Sequence, residues 1–401
     1  MRVRGAIKVV AANIVVFGVL LLAVNGVSAI ILHLLPARPY SDYRGYDPAK
    51  LPNYRGNPQA EQIFRDYAKV TYEFAPFVEW QPRPYHGETL TIDAARHRVT
   101  PTPRQVAPSA PIVRFFGGST MLGEGSTDAG TIPAQFARLN PAYRPVNQGR
   151  DAFNSRQGLE QVRNLANEGA RTDVAVFYEG TNDVYTMCQR DIGLNGQDQE
   201  VRMRRAIDQS RSGAGYVSAW AALKALFIGK TRDLITRLQP QRHTKTGLSY
   251  RCAQDPTYAR AVARTAVANI MAARRLVLAQ GGRFVAVLQP DAFFGRPRVD
   301  HLGKKLYSLG GSDLPAQYKA VYPFLRREIR PYRQWFLDLS GVFDGPEVVY
   351  IDSAHVSPNG NTIVATCMSA FLRLPASGNL KADGNQTGGA QRGSPARGCP
   401  A

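Results

Sequence analysis

Residues 111–125 read PIVRFFGGSTMLGEG. The apolar run before the glycines predicts a short buried strand, and Gly117 and Gly118 let the chain turn sharply where a side chain would clash. Ser119 would then stand at the carboxyl end of that strand. Ligands bind at this edge of an open α/β sheet, so Ser119 is a candidate nucleophile. A plain strand-to-helix turn or a phosphate-cradling loop would use the same glycines, so partners are needed elsewhere in the chain.

The rest of the chain after Pro111 alternates strand and helix signals, which is typical of a parallel sheet covered by helices on both faces. The fold class predicted from the sequence is therefore α/β. Strands are predicted at 112–116, 145–148, 173–178, 283–288 and 335–339. Helices are predicted near 130–139, 156–169, 256–280, 314–330 and 357–373.

Three regions follow the N-terminal segment in the predicted organisation. Residues 36–110 are rich in Pro, Tyr and Arg and are interpreted as a linker and an irregular or β-hairpin lead-in. The main domain is placed at 111–375, with an insertion over the ligand edge at about 184–256 that contains the amphipathic piece GYVSAWAALKALFIG. Residues 376–401 are poor in apolar side chains and are predicted to be disordered.

The N-terminal 35 residues differ from the rest. The 27 residues from Val9 to Leu35 contain no Asp, Glu, Lys or Arg, which is long enough to span a bilayer. Basic residues precede the run, so the positive-inside rule keeps the N-terminus in the cytoplasm and exports the remainder. A cleaved signal peptide is the alternative, with a cleavage site around Ser28, but the apolar run continues past it. Residues 1–35 are thus predicted to be a single-pass anchor, with the main domain in the periplasm or outside the cell.

The charge balance favours anionic partners. Lys and Arg total 50 against 31 Asp and Glu, a formal net charge of +19. The basic residues are scattered, and an exported chain seldom meets nucleic acid, so no nucleic-acid partner is predicted. Anionic lipid head groups or acidic glycans fit better, while a solvated basic surface accounts for most of the charges.

The spacing of the four cysteines indicates which metal sites and disulfides the chain could form. Cys188, Cys252, Cys367 and Cys399 have no C-x-x-C spacing, so no zinc or other metal site is predicted. In an oxidising compartment Cys188 and Cys252 are candidates for a disulfide, because both fall between predicted core elements. Cys367 lies on the apolar face of a predicted helix and is expected to be buried and inert.

Three other stretches place polar residues at or just after strand ends. VNQGRDAFNS puts Gly149 after the second strand, and FYEGTNDV puts Gly180 and Asn182 after the third. YIDSAHVSPNGN puts Asp352 and His355 ahead of the last helix. A doubly wound sheet gathers its strand ends at one edge, so these residues are expected to converge with the serine.

The residue types then assign roles. A serine is a poor nucleophile until a base removes its proton, and His355 is the candidate base for Ser119. Asp352, three residues earlier, would accept a hydrogen bond from the other ring nitrogen and fix its tautomer. The backbone N–H groups of Ser119 and Gly149 and the side-chain amide of Asn182 are the predicted oxyanion donors.

These ordered blocks resemble those of the SGNH hydrolases of the GDSL-like superfamily, which contribute Ser, Gly, Asn and His. Block one is FFGGSTMLGEG, block two centres on Gly149, block three is GTND and block five is DSAH, together covering roughly residues 111–373. The resemblance implies a flavodoxin-like three-layer α/β/α sandwich, hydrolysis of acyl esters and no cofactor. Block one reads Gly-Gly-Ser-Thr where the family name implies Gly-Asp-Ser-Leu, and block two lacks a clean Gly-x-x-Gly pattern.

Three functions remain open at this point. The first is a membrane-anchored serine esterase that deacylates a glycan or lipid outside the cytoplasmic membrane. The second is an O-acyltransferase, in which a glycan hydroxyl replaces water in attacking the acyl-enzyme. The third is a non-catalytic glycan-binding protein with the same fold. Ser126, Glu124 and Glu179 lie near the blocks but belong to none of them, and no role is assigned to them.

Overall fold

The structure is a computed structural model, and it describes residues 2–35, 46–103, 106–197, 200, 221–238, 248–374 and 399. The chain divides into two compact units. One comprises Met1–Asp42 and Val201–Arg242, and the other comprises Tyr43–Glu200 and His243–Ala401.

The secondary structure is as follows. The helices are α1 (Arg2–Leu34), α2 (Ala60–Lys69), α3 (Ser119–Leu122), α4 (Ile132–Leu139), α5 (Ser155–Asn167), α6 (Thr181–Met187), α7 (Lys230–Leu238), α8 (Pro256–Ala279), α9 (Leu314–Ile329) and α10 (Pro358–Leu372). The strands are β1 (Tyr72–Ala75), β2 (Glu79–Pro82), β3 (Tyr85–His86), β4 (Thr91–Ile92), β5 (Ile112–Gly117), β6 (Arg144–Asn147), β7 (Val174–Glu179), β8 (Arg283–Leu288) and β9 (Phe336–Asp338). A π-helical turn, Ala225–Gly229, precedes α7.

The main sheet of the second unit has five strands in the order β6-β5-β7-β8-β9, and every neighbouring pair is parallel. Counted along the chain, this is the order 2-1-3-4-5 of flavodoxin-like folds, with the chain reversing direction across the sheet beside β5. Helices α5, α8 and α9 pack together, and α4 packs with α10. The predicted α/β class and its parallel sheet are confirmed, and the five predicted strands agree with the observed ones to within two residues.

The burial of the central strands explains why their positions could be predicted from the sequence. Strands β5 and β7 are buried along their whole length, so they read as continuous apolar runs, as expected for a parallel sheet covered on both faces. Phe116, Phe177 and Phe284 come from three adjacent strands, with ring centroids 4.8 and 5.1 Å apart. Ala259, Ala263, Ala266 and Ala273 of α8 are buried in the same cluster, and their small side chains let this helix pack closely.

The lead-in segment folds as part of the second unit. Its α2 buries Ile63 and Phe64, β1 and β2 form the expected antiparallel hairpin, and β3 pairs with β4. Arg98 makes an antiparallel bridge to Asn147 of the main sheet. The Pro-rich and Tyr-rich composition concealed these short elements, because each contributes only a few apolar residues to the core.

The first unit contains α1 and the helical stretch 221–238. Within α1, Ile7–Leu34 is long and apolar enough to cross a membrane, judged by length and composition. Residues 221–238 are the described part of the predicted insertion that belongs to this unit. Much of the remaining insertion, residues 198–199, 201–220 and 239–247, lies outside the described residues.

Two disulfides involve all four cysteines. Cys188 bonds to Cys252, which confirms the suspected pair. Cys367 is buried as expected, but it is bonded to Cys399 and is not a free thiol. Spacing along the chain did not reveal this second pair, because its partner lies in the polar tail. The tail predicted to be disordered otherwise falls outside the described residues.

Candidate active site

The carboxyl edge of the main sheet gathers the polar residues singled out in the sequence. Ser119 begins α3 directly after β5, Gly149 follows β6, and Asn182 lies in the first turn of α6 after β7. Asp352 and His355 precede α10 in the segment that follows β9. The parallel register places the strand ends side by side, so residues separated by more than 200 positions meet at one edge.

Three of these residues form a hydrogen-bonded chain. Ser119 Oγ lies 2.6 Å from His355 Nε2, and His355 Nδ1 lies 2.8 Å from Asp352 Oδ2. The other carboxylate oxygen of Asp352 accepts hydrogen bonds from the backbone N–H groups of Ala354 and His355, at 2.8 and 2.7 Å. Asp352 and His355 are buried, whereas Ser119 is half-buried. The arrangement holds the imidazole rigidly against a serine that remains accessible from one side.

The second glycine of block one makes room for Asn182. A Cβ atom added at Gly118 would lie 2.3 Å from Asn182 Nδ2 and 3.2 Å from the Phe153 carbonyl oxygen. Asn182 Nδ2 donates one hydrogen bond to that carbonyl, at 2.7 Å, and the amide carries a second N–H. The N–H of Ser119, at the start of α3, has no acceptor among the residues that the structure describes. The amide of Asn182 and an unengaged backbone N–H are thus brought to the same turn.

Gly149, the predicted oxyanion donor of block two, lies in a tightly packed loop. Its N–H donates a hydrogen bond to Asn147 Oδ1 at 2.9 Å. A Cβ atom here would lie 2.2 Å from the backbone nitrogen of Leu122, so the glycine lets the block-two loop pack against α3. Ala152, in the same loop, has a φ of 58°, and within the described part of the chain no acceptor faces its N–H. This non-glycine left-handed residue directly precedes Phe153, the hydrogen-bond partner of Asn182.

Glu124 is the site residue that the sequence analysis missed. Its Oε2 lies 3.0 Å from His355 Nε2, and its side chain is 5% exposed. Glu124, Asp352 and His355 are also the set of described side chains that could hold a metal ion, with ligand atoms within 4.8 Å of one another. Both ring nitrogens of His355 already face partners, so hydrogen bonding accounts for this cluster. The only local signal was the Gly-Glu-Gly turn that ends block one.

The lead-in segment holds the loop that follows Ser119 in place through Arg98. The guanidinium is fully buried and donates to the carbonyl oxygens of Gly123 at 2.7 Å and Ser126 at 2.6 Å. It also pairs with Asp128 at 2.9 Å. Burial lowers the pKa of Arg98, and the carboxylate of Asp128 opposes that shift. The Arg98 guanidinium thus provides hydrogen bonds to backbone carbonyl groups that would otherwise be buried without a partner close to Ser119.

The lead-in also fastens the block-two loop. The hydroxyls of Tyr67 and Tyr72 both donate to the carboxylate of Asp151, and Trp80 Nε1 donates to its carbonyl oxygen at 3.0 Å. Burial raises the pKa of the Asp151 carboxyl, the negative charge of Glu124 raises it further, and the two tyrosine hydroxyls oppose the shift. The loop that carries Ala152 is therefore held from the side of the lead-in.

Two more acids lie buried at the ends of neighbouring strands. Burial raises the pKa of Glu179 well above its ordinary value, and the charge of Asp183 adds to the effect. Burial also raises the pKa of Asp291 well above its ordinary value, with a contribution from Asp352. Each leaves one carboxyl oxygen without a hydrogen-bond partner in the described part of the chain. Burial therefore makes both carboxyl groups hold their protons more tightly than solvent-exposed carboxyl groups do.

Comparison with known proteins gives a structural likeness only. No protein-family model and no curated protein matches the chain. The chain resembles solved GDSL-type hydrolases. A member of the lipolytic G-D-S-L family from Veillonella parvula is 14% identical with a TM-score of 0.38, over 66% of this chain and all of that one.

Two neighbours are named as esterases. Est24, a carbohydrate acetylesterase from Sinorhizobium meliloti, is 13% identical with a TM-score of 0.35, over 66% of this chain and 98% of its own. The acetyl xylan esterase AlAXEase is 12% identical with a TM-score of 0.31, over 63% and 96% of the two chains. Sequence identities and TM-scores this low do not support an assignment of function. The function is therefore argued from the geometry of the site.

Proposed function

We propose that the protein is a serine-dependent ester hydrolase of the SGNH type. The observation that carries the proposal is the continuous chain from Ser119 Oγ through His355 to Asp352, with contacts of 2.6 and 2.8 Å. A nucleophile within hydrogen-bond reach of a base, which is itself oriented by a carboxylate, is the arrangement that acyl transfer requires. The half-buried serine leaves space for a substrate to approach.

The reaction proceeds through an acyl-enzyme. Ser119 Oγ attacks the ester carbonyl carbon while its proton passes to His355 Nε2, and Asp352 stabilises the imidazolium that forms. The tetrahedral intermediate collapses as Nε2 returns the proton to the departing alcohol. Water then loses a proton to Nε2 and attacks the acyl carbon. The second tetrahedral intermediate collapses as the bond to Ser119 Oγ breaks and Nε2 returns its proton to Oγ, which releases the carboxylic acid and restores the enzyme.

The oxyanion is stabilised by donors at the same turn. The Ser119 N–H and the second N–H of the Asn182 amide are two of them, and we assign the Ala152 N–H as the third in place of Gly149. One support is the hydrogen bond that already engages the Gly149 N–H. The other is Ala152 itself, which has a left-handed backbone conformation and an N–H without a hydrogen-bond acceptor among the described residues. Each such donor contributes about 3–4 kcal/mol to the transition state.

The substrate is proposed to be an acyl ester of a glycan or lipid outside the cytoplasmic membrane. The apolar run of α1, preceded within the same helix by basic residues, supports a single-pass anchor with an exported domain. Two disulfides support an oxidising compartment. The net charge of +19 favours anionic substrates or surfaces.

A serine-directed probe tests the proposal. Full-length protein in detergent is treated with a fluorophosphonate and digested, and the modified peptide is identified by mass spectrometry. The expected result is one modified residue, Ser119, with parallel loss of p-nitrophenyl acetate hydrolysis. Ser312→Ala, at an exposed serine, is the matched control and should label fully. Hydrolysis that survives complete labelling, or labelling of another serine, would contradict the assignment.

A further inference from the structure

We infer that residues 221–238 contact the lipid bilayer beside the anchor, so that the protein meets the membrane through two helical segments. The inference rests on the proposed membrane anchoring of α1 and goes beyond the ester hydrolase activity. It concerns only the first compact unit, in which this stretch packs along α1.

The first observation is the pairing of Asn25, a polar residue inside the apolar run of α1. Its Nδ2 donates to the carbonyl oxygen of Leu226 at 2.8 Å, and its Oδ1 accepts from the N–H groups of Lys230 and Thr231 at 2.7 and 3.1 Å. Polar side chains within membrane spans are costly unless another part of the protein satisfies them. Backbone groups of residues 226–231 provide the hydrogen bonds that the Asn25 side chain needs.

The second observation is the backbone at the point of contact. The turn Ala225–Gly229 is π-helical, which interrupts the ordinary α-helical hydrogen-bond pattern. Asn25 bonds to a carbonyl group inside this turn and to two N–H groups directly after it. Ser28 Oγ, itself buried, donates to Thr231 Oγ1 at 3.2 Å. A broken helix is tolerated at membrane depth only where protein groups satisfy its backbone. The contact therefore meets the requirement for burial beside a transmembrane helix.

The third observation is the outward face of the stretch. Five apolar side chains are between 42% and 66% exposed, namely Leu223, Leu226, Ile228, Ile235 and Leu238. In water this would be an uncovered apolar surface. The following α7 carries basic residues, Lys230, Arg232 and Arg237, against one acid, Asp233. Apolar side chains followed by an excess of basic residues are typical of a segment whose apolar part contacts lipid tails and whose basic side chains reach toward anionic head groups.

The depth of the contact agrees with this assignment. Asn25 lies nine residues before Leu34, the end of α1, which is about 14 Å along the helix. The contact thus falls in the half of the membrane nearer the exported side. The bilayer that surrounds α1 is therefore the occupant of the exposed apolar face.

Photocrosslinking tests the inference on the full chain in nanodiscs of phosphatidylethanolamine and phosphatidylglycerol. Benzoylphenylalanine is placed at Leu226, at Phe17 of α1 as positive control, and at Leu139 of the second unit as negative control. All three are between 50% and 63% exposed. We expect phospholipid adducts at positions 17 and 226 and none at 139. An adduct at 17 without one at 226 would overturn the inference, and absence at both would overturn the anchor as well. Ester hydrolysis, measured on the same samples, reports separately on the proposed function.

A second variant tests the role of Asn25. Asn25→Leu should accelerate hydrogen exchange of the Lys230 and Thr231 amides at least about tenfold, because they lose their acceptor. Asn13→Leu is the matched control, since Asn13 is exposed in the same helix. Unchanged exchange in Asn25→Leu would show that the two helices do not meet in the membrane and would overturn the inference. Ester hydrolysis is expected to be unchanged in both variants.

Discussion

At the scale of single residues, the position of Glu124 is the most informative feature of the site. In the proposed mechanism, a second carboxylate 3.0 Å from His355 Nε2 would stabilise the imidazolium that forms when the serine proton is transferred. Charge-assisted hydrogen bonds contribute about 1.5–3 kcal/mol, so Glu124→Gln is expected to lower kcat about 10–100-fold with little change in KM. Steady-state hydrolysis of p-nitrophenyl acetate checks this, with Glu88→Gln, at an exposed glutamate of the lead-in, as the control. A Glu124→Gln enzyme with the parent kcat would show that Glu124 only fills space.

At the scale of elements, the lead-in acts as a support for both loops of the site. Arg98 is the clearest case, because its buried guanidinium holds the carbonyls that follow α3. Arg98→Met keeps much of the apolar stem but leaves those groups and Asp128 without their cation, at a cost of about 3–5 kcal/mol. Thermal unfolding should reveal this loss, and the folded fraction should show a lower kcat. Arg65→Met, at an exposed arginine of α2, is the control. Equal melting temperatures for the two variants would contradict the supporting role of Arg98.

The same scale explains what the sequence could and could not predict. The strands were predictable because β5 and β7 are continuous apolar runs. Ser119, Asp352 and His355 were predictable because one stands directly after β5 and the other two just before the last helix. Glu124 and the contacts of Arg98 were not, because they depend on how loops distant in sequence turn toward each other. Gly149 was assigned as an oxyanion donor by its block, whereas its packing against α3 and its hydrogen bond to Asn147 appear only in three dimensions.

At the scale of the whole molecule, buried acids with raised pKa values make stability depend on pH. Burial raises the pKa of Glu179, so the folded protein binds this proton more tightly than the unfolded chain does. The stabilisation is complete below the ordinary glutamate pKa and is lost as the pH rises toward the folded value. Glu179→Gln should therefore gain stability over the parent as pH increases, seen as a widening difference in Tm between pH 5 and pH 8. Glu61→Gln, at an exposed side chain, should show no such trend. A parent-to-variant difference that is constant with pH would exclude a shifted Glu179.

The central claim is that Ser119 and His355 act as one catalytic unit. Its most direct test is the rate of ester hydrolysis by Ser119→Ala, His355→Ala and the double variant, each shown to be folded by circular dichroism. Because the two groups share one proton transfer, each single variant should lose nearly all activity, and the double variant should be little worse than either. Hydrolysis by Ser119→Ala at the parent rate would contradict the account and leave the Gly-Gly-Ser-Thr turn as a structural feature alone.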